Sequence, residues 1–280
     1  MVALHAHKSA ASIRRFHTLN PSLPLIVALT GTDVYRDLER SATARASLER
    51  ATLLIVLQPL ALQAIAPRFR QKAFVLEQSV AAPSPAERAL QARVARNAAG
   101  RGAQAIQIGV LANLRHVKDP LRAALAVRQL PATSRLHVVH AGAALTDSYH
   151  RRAERETQRN ARYEWVGPVS ARRARSLLLR SAALVLSSRL EGGANVVSEA
   201  IVCGVPVFAS HIPGSVGLLG ARYSGYFPVG DTKRLAALLE RFENEPRFAA
   251  ELRRHVRGLG PRFRPARERA AWKGLLRRLR

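Results

Sequence analysis

The stretch Ser187-Ser-Arg-Leu-Glu191-Gly-Gly-Ala-Asn-Val-Val-Ser-Glu199-Ala-Ile-Val-Cys-Gly-Val-Pro206 decides how this 280-residue chain is read. The apolar run Ala183–Leu186 reads as a buried strand that ends at Ser187, a glycine-rich loop follows, and helical spacing sets in near Asn195. Loop amides and a helix N-terminus together make a seat for phosphate or sugar oxygens. Glu191 lies on the loop and Glu199 in the first helical turns, so both can face the cleft at the strand end. A carboxylate accepts two hydrogen bonds at once, which suits the vicinal hydroxyls of a sugar or ribose. Taken alone, the same pair also fits a capping Glu191 and a solvated first-turn Glu199.

Outward from this stretch, short apolar runs alternate with amphipathic segments, the pattern of βα units on parallel sheets. The first series places strands at Val2–His5, Leu25–Thr30, Leu53–Leu57 and Ala73–Leu76, with helices at Ser9–Leu19 and Arg40–Ala51. Ala81-Ala-Pro-Ser-Pro-Ala-Glu then reads as the start of a connection. The second series places strands at Ile106–Leu111, Leu136–His140, Tyr163–Val166, Ala183–Leu186 and Val207–Ala209. Its helices fall at Asp119–Gln129, Ala171–Arg180, Val197–Cys203 and Thr232–Glu243, and a basic amphipathic helix is expected over Arg262–Arg280. The expectation is an α/β protein of two Rossmann-like domains facing a cleft, divided into residues 1–95, 96–260 and a C-terminal helix 261–280. The first strand begins at Met1 itself, so the N-terminal domain reads as lacking its first βα unit, as a misplaced start codon or a shortened chain would leave it.

Composition narrows the partners. The net charge of +26 would suit nucleic acid, but only five of the 45 basic residues are lysines, and the forty arginines are spread along the chain without interleaved aromatics. We therefore read a basic surface compatible with anionic small substrates or an anionic membrane surface, and no nucleic-acid partner. The uncharged runs from Ala51 to Pro67 and from Ala200 to Ala221 are broken by Pro, Gly or Gln, so no integral membrane segment is expected. One cysteine excludes an intramolecular disulfide framework and suits a reducing cytoplasm. Cys203 reads as a small buried apolar residue.

Two further elements carry chemistry. In Gly109-Val-Leu-Ala-Asn-Leu-Arg115-His-Val-Lys118-Asp-Pro120, a strand runs into a basic loop, and two cations at a strand end suit a diphosphate leaving group. Near the N-terminus, Leu4-His5-Ala-His7-Lys-Ser and Leu29-Thr30-Gly31-Thr32-Asp33 both follow strands and should line the opposite side of the cleft. His5 and His7 lack an evident third ligand, so no metal site is expected. Asp33 fits a helix N-cap equally well.

The Glu191–Glu199 segment resembles the E-x7-E signature of family 4-type glycosyltransferases of the GT-B fold, continued by Glu-Ala-Ile-Val-Cys-Gly-Val-Pro. That resemblance implies that Glu191 and the amides of Gly192, Gly193, Ala194, Asn195 and Val196 hold the donor hexose, and Glu199 the ribose. It places Lys118 beside the nucleotide diphosphate; the usual arginine position holds Asn113, leaving Arg115 as the substitute. Tyr163-Glu-Trp-Val-Gly-Pro resembles the turn beside the base, so main-chain groups of Val166, Gly167 and Pro168 would read uracil.

The N-terminal words Ala-Leu-His-Ala-His-Lys-Ser-Ala-Ala-Ser-Ile-Arg-Arg-Phe and Thr-Gly-Thr-Asp-Val-Tyr-Arg-Asp-Leu resemble the selenosugar synthases of selenoneine biosynthesis, as does Gly214-Ser-Val-Gly-Leu-Leu-Gly. This implies transfer of a hexose, N-acetylglucosamine in the usual case, from a UDP-sugar to selenophosphate with no cofactor. The implied acceptor side is His5, Thr30, Gly31, Thr32 and Asp33, and the implied catalytic set is His5, Lys118 and Glu191. A conventional carbohydrate or lipid acceptor is the alternative.

Overall fold

A computed structural model describes residues 1–31, 33–100, 102 and 104–279. Strands β1 (Val2–Leu4), β2 (Ile26–Leu29), β3 (Leu53–Val56) and β4 (Ala73–Val75) form a parallel sheet in that order. Strands β5 (Ile106–Leu111), β6 (Leu136–Ala141), β7 (Tyr163–Trp165), β8 (Ala183–Leu186), β9 (Val207–Ser210) and β10 (Tyr226–Phe227) form a second, in the order β10-β9-β8-β5-β6-β7. Every pairing among them is parallel. The strands β2, β3, β8 and β9 are buried at every residue, as central strands covered on both faces must be. The order of the second sheet reverses between β5 and β8, which opens a crevice at their C-terminal ends.

One face of the first sheet buries Val27, Leu29, Leu54 and Val56 together with Ile13 and Leu48 from the Ala10–Leu19 and Ala42–Arg50 helices. The other face, Ile26, Ala28, Leu53 and Ile55, is covered by Ala271, Trp272 and Leu275 of the Pro265–Arg277 helix. The last helix of the chain thus closes the core of the first sheet. The second sheet has its own larger core, built around residues such as Ile108, Val138, Leu184 and Phe208.

The strands of both series lie where the apolar runs place them, within a residue or two at their ends. The helices depart more. The Asp119–Gln129 expectation shrinks to Arg122–Val127, because Asp119 turns the chain in the left-handed region with φ 44°. The segment read as a connection becomes a 15-residue helix, Pro85–Ala99, opened by a capping box in which Ser84 and Glu87 exchange side-chain and backbone hydrogen bonds. The helices Asp147–Arg159 and Pro246–Leu259 were not expected from the pattern. No helix among the described residues is long and apolar enough to cross a membrane.

The two sheets meet C-terminal end to C-terminal end through glycines. A Cβ on Gly192 would lie 2.9 Å from the backbone of Gly31, and one on Gly193 would lie 2.8 Å from Leu57 Cβ. A Cβ on Gly217 would overlap Gln58 Oε1. Ionic ties reinforce the contact. Arg262 pairs with Glu77 and donates to the carbonyls of Gly217 and Leu218, and Glu268 accepts from Ser79 N at 2.9 Å. Gln58 cannot move freely, since its amide donates to Tyr35 Oη and its carbonyl accepts from Leu60 N. Gly217→Ala is therefore expected to lower stability by about 1–3 kcal/mol by overpacking, read as a fall in the thermal midpoint; an unchanged midpoint would mean this contact is not tight.

Candidate active site

A cavity of about 590 Å³ lies between the two sheets. Its lining comes almost wholly from strand C-terminal ends. The first sheet gives Thr30 after β2, Leu57 after β3 and Gln78 after β4. The second gives Asn113, Arg115 and Lys118 after β5, Ala141 to Ala143 from the end of β6, and Pro168 and Val169 after β7. The loop and helix after β8 supply Glu191, Gly193 to Val196 and Glu199. The crevice therefore collects in one space the carboxylates, the lysine and the loop that lie far apart in sequence.

At its centre Lys118 Nζ meets Glu191 Oε1 at 2.5 Å, with only 17% and 12% of the two side chains exposed. The loops bearing them are stapled together. Ser187 Oγ is within hydrogen-bond reach of the carbonyls of Lys118 and Asp119, and Arg189 N donates to Val117 O. The backbone of Glu191 is itself pinned, for a Cβ on Gly214 would run into its carbonyl oxygen. One wall thus carries a cation and an anion that neutralise each other until a ligand competes for either.

Glu199 sits half-buried in the second turn of the Asn195–Cys203 helix, and Asn195 Nδ2 donates to its Oε1 at 3.1 Å. Burial pushes its carboxyl above the usual range, while the charge of Arg175 opposes that rise. Cys203, one turn further on, is buried and its thiol is pushed up to about 11 by desolvation. Asn113 lines the cavity, and its Oδ1 accepts from Ala143 N at 3.0 Å, tying the β5 loop to the β6 loop. Arg115 is exposed at the rim.

Of the turn after β7, Pro168 faces the cavity. Gly167 takes a left-handed φ of 70°, and its carbonyl accepts from Gly142 N. Val166 lines a separate groove beside Arg173 and Arg180. Trp165 is a packing residue: its indole donates to Gly142 O and its ring meets His150 edge-on.

On the N-terminal side only Thr30 of the expected residues lines the cavity; His5, Gly31 and Asp33 do not, and Thr32 lies outside the described residues. His5 is buried at a φ of 73°; its Nδ1 accepts from Lys8 N, and its Nε2 lies 3.6 Å from Asp37 Oδ2. Asp33 is the first residue of the helical turn Asp33–Asp37. Its carboxylate, fully buried, accepts from Ala6 N and Gly31 N and so clamps the loop after β1 to the loop after β2. His7 is hydrogen-bonded to Ser41 Oγ instead. Among the described residues no group of three or more His, Cys, Asp or Glu could hold a metal ion. Gly192 touches Gly31 rather than the cavity.

Leu57, Gln78 and Ala141 to Ala143 were not foreseen. The available signal was position alone, since each closely follows or ends a strand. Behind them His140 is fully buried, with its Nδ1 on Tyr163 Oη and its Nε2 on the carbonyl of Ala112, a cavity residue.

The chain belongs to the glycosyl transferases group 1 family, whose model matches residues 93–258. Comparison with curated protein sequences gives no match. Among solved structures it resembles Anabaena Alr3699/HepE in complex with UDP and glucose, at 17% identity and a TM-score of 0.77, over 96% of this chain and 76% of that one. Sucrose-phosphate synthase from Thermosynechococcus elongatus gives 18% and 0.77, over 99% and 73%. The pneumococcal O-GlcNAc transferase GtfA in complex with UDP and GlcNAc gives 14% and 0.72, over 99% and 56%. The architecture is that of the GT-B glycosyltransferases.

Burial lowers the His140 pKa from 6.5 to about 4. Between these values the unfolded chain binds a proton that the folded chain refuses, so stability rises with pH across that window and is lost as pH falls through it. The shift corresponds to about 3 kcal/mol. Urea unfolding of His140→Gln is expected to show a shallower loss of stability between neutral pH and pH 4 than the parent; an equal loss would assign the acid sensitivity elsewhere.

Proposed function

We propose that this protein transfers a hexose, N-acetylglucosamine in the first instance, from a UDP-sugar to selenophosphate, making a carbon–selenium bond at the anomeric carbon. The observation that carries the donor half is the convergence of Lys118, Glu191 and Glu199 on one cavity at the switch point of the second sheet. In this reading Lys118 faces the diphosphate, Glu199 accepts from the ribose hydroxyls, and Glu191 with the amides after it holds the hexose. The turn Val166–Gly167–Pro168 lies by the base. Neighbours of the same fold captured with UDP and a sugar support a nucleotide-sugar donor.

Chemistry follows from charge. The selenium of selenophosphate is an anionic nucleophile already, so its attack on the anomeric carbon needs no deprotonating base. As the carbon–selenium bond forms, the bond from that carbon to the diphosphate oxygen breaks, and UDP leaves with the electron pair. Negative charge grows on the leaving oxygen, and Lys118 and the N-terminus of the Asn195–Cys203 helix are the groups placed to stabilise it. Water then takes the phosphoryl group from selenium as inorganic phosphate, leaving the 1-selenosugar. The incoming diphosphate competes with Glu191 for the Lys118 ammonium, so loading the donor frees Glu191 to face the sugar.

The acceptor half rests on the resemblance of the N-terminal words, with Thr30 as the residue of that set on the cavity wall. A conventional carbohydrate acceptor is favoured by one observation. The lining that the first sheet supplies, Thr30, Leu57 and Gln78, is uncharged, and both lining cations, Arg115 and Lys118, come from the second sheet.

Release of UDP from UDP-N-acetylglucosamine, with and without selenophosphate, separates the two. Selenophosphate-dependent release with a selenium-bearing sugar detected by mass is the expected result; release that ignores selenophosphate assigns another acceptor, and failure to bind UDP overturns the donor reading. Removing the Lys118 cation strips the leaving group of its charge partner and leaves Glu191 unpaired. Lys118→Ala is accordingly expected to cut turnover by about 10²–10³-fold, measured as UDP release at saturating donor.

A further inference from the structure

We propose that the groove between the Pro85–Ala99 and Ala171–Arg180 helices binds a small organic anion, a carboxylate, sulfonate or phosphate on an apolar body; this stands apart from the transferase reading. On the second sheet Gln107 and His137 are register partners and Val139 follows two residues on, so the three share one face. Gln107 Nε2 donates to Leu177 O and Ser181 Oγ, which ties this face to the Ala171–Arg180 helix. Each helix turns a stripe of helical spacing to the groove. Leu90, Arg93, Val94 and Asn97 come from the first, and Arg173, Leu177 and Arg180 from the second. Between sheet and helices lie three adjoining cavities of about 310, 720 and 190 Å³, and Arg180 lines all of them.

Charge sets the groove apart. Arg93, Arg173 and Arg180 are exposed, and none of them makes an ion pair among the described residues. Arg175, on the same helix, is by contrast paired with Glu87. No Asp or Glu among the described residues lines any of the three cavities. The acid that acts nearby is Glu164, the register partner of Val139, whose charge opposes the burial that lowers the His137 pKa. Cations that line one space without a counter-charge repel one another, and an anion held among them relieves that repulsion. The surface between them is apolar: Val139, Val166 and Leu177 lie beside Arg173, and Leu90 and Val94 beside Arg93. An apolar body on the anion covers those side chains, which an inorganic ion leaves wet. In the smallest of the cavities His137 Nδ1 is buried with no hydrogen-bond partner among the described residues, so a polar atom there is unclaimed. Val169 lines both this groove and the donor cavity, so the two spaces share a wall at the turn after β7.

The test is a fluorescence titration of the full chain with 8-anilinonaphthalene-1-sulfonate, an apolar ring system bearing one sulfonate. Saturable binding is expected. Arg180→Gln should weaken it on the order of tenfold, and Arg93→Gln and Arg173→Gln by about threefold each. Lys118→Ala, in the donor cavity, and Arg15→Gln, exposed on the Ala10–Leu19 helix, should leave the affinity unchanged. N-phenyl-1-naphthylamine, the same ring system without the sulfonate, should bind the parent at least about tenfold more weakly. This comparison of two probes uses the parent alone, so it decides the matter even if a variant does not fold. No saturable binding, equal affinity for the two probes, or parent-like affinity in both Arg180→Gln and Arg173→Gln overturns the proposal. A loss that follows Lys118→Ala instead assigns the probe to the donor cavity and overturns it as well.

Discussion

The distance between the loop after β8 and the loops after β2 and β3 sets everything else in this molecule. Gly192 lies against the backbone of Gly31 and Gly193 against Leu57, at separations no side chain could occupy. Because the two sheets approach this closely at their strand ends, the cavity is walled on both sides, and a ligand held by the second sheet must present its reacting end to the first. The same loop lines the cavity through Gly193 and permits the domain contact through Gly192. A single loop thus shapes both the cavity wall and the contact between the sheets, and neither can be varied without the other.

Electrostatics divides along the same line. The chain carries a net charge of +26, but the cavity centre is a matched pair, Lys118 with Glu191. Much of the excess arginine is spent on backbone carbonyls and structural acids: Arg162 reaches the carbonyls of Val127, Leu130, Pro131 and Ala132, and Arg262 those of Gly217 and Leu218. Such arginines act as staples, with five donors in a planar fork that a lysine cannot match. A surface excess of one sign attracts polyanions in general without specifying any one of them.

The strands were legible because Leu53–Val56 and Ala183–Leu186 are short continuous apolar runs between helical stretches, as strands buried on both faces require. The glycine loop and its two glutamates announced a strand-end crevice for the same reason. The Pro85–Ala99 helix hid behind its prolines, although Ser84 and Glu87 already spelled a capping box. The Asp147–Arg159 helix escaped because only Ala153 and Glu156 are buried on it, leaving too narrow an apolar stripe to read. His5 and Asp33 looked like cleft residues by position. Their burial among Asp37, Ala6 and Gly31 is a tertiary arrangement that strand-end position does not encode.

The Pro265–Arg277 helix gives the chain an order of events. Until Leu275 and Trp272 have been made, Ile26, Ala28, Leu53 and Ile55 have no cover, so the first sheet to leave the ribosome is the last to complete its core. The second sheet, whose core draws on residues only up to Phe263, can close beforehand and act as the platform on which the first is finished. During synthesis the N-terminal half is therefore a half-dressed sheet with an apolar face open to chaperones or to neighbouring chains, and premature termination shortly before the last helix would leave it in that state permanently.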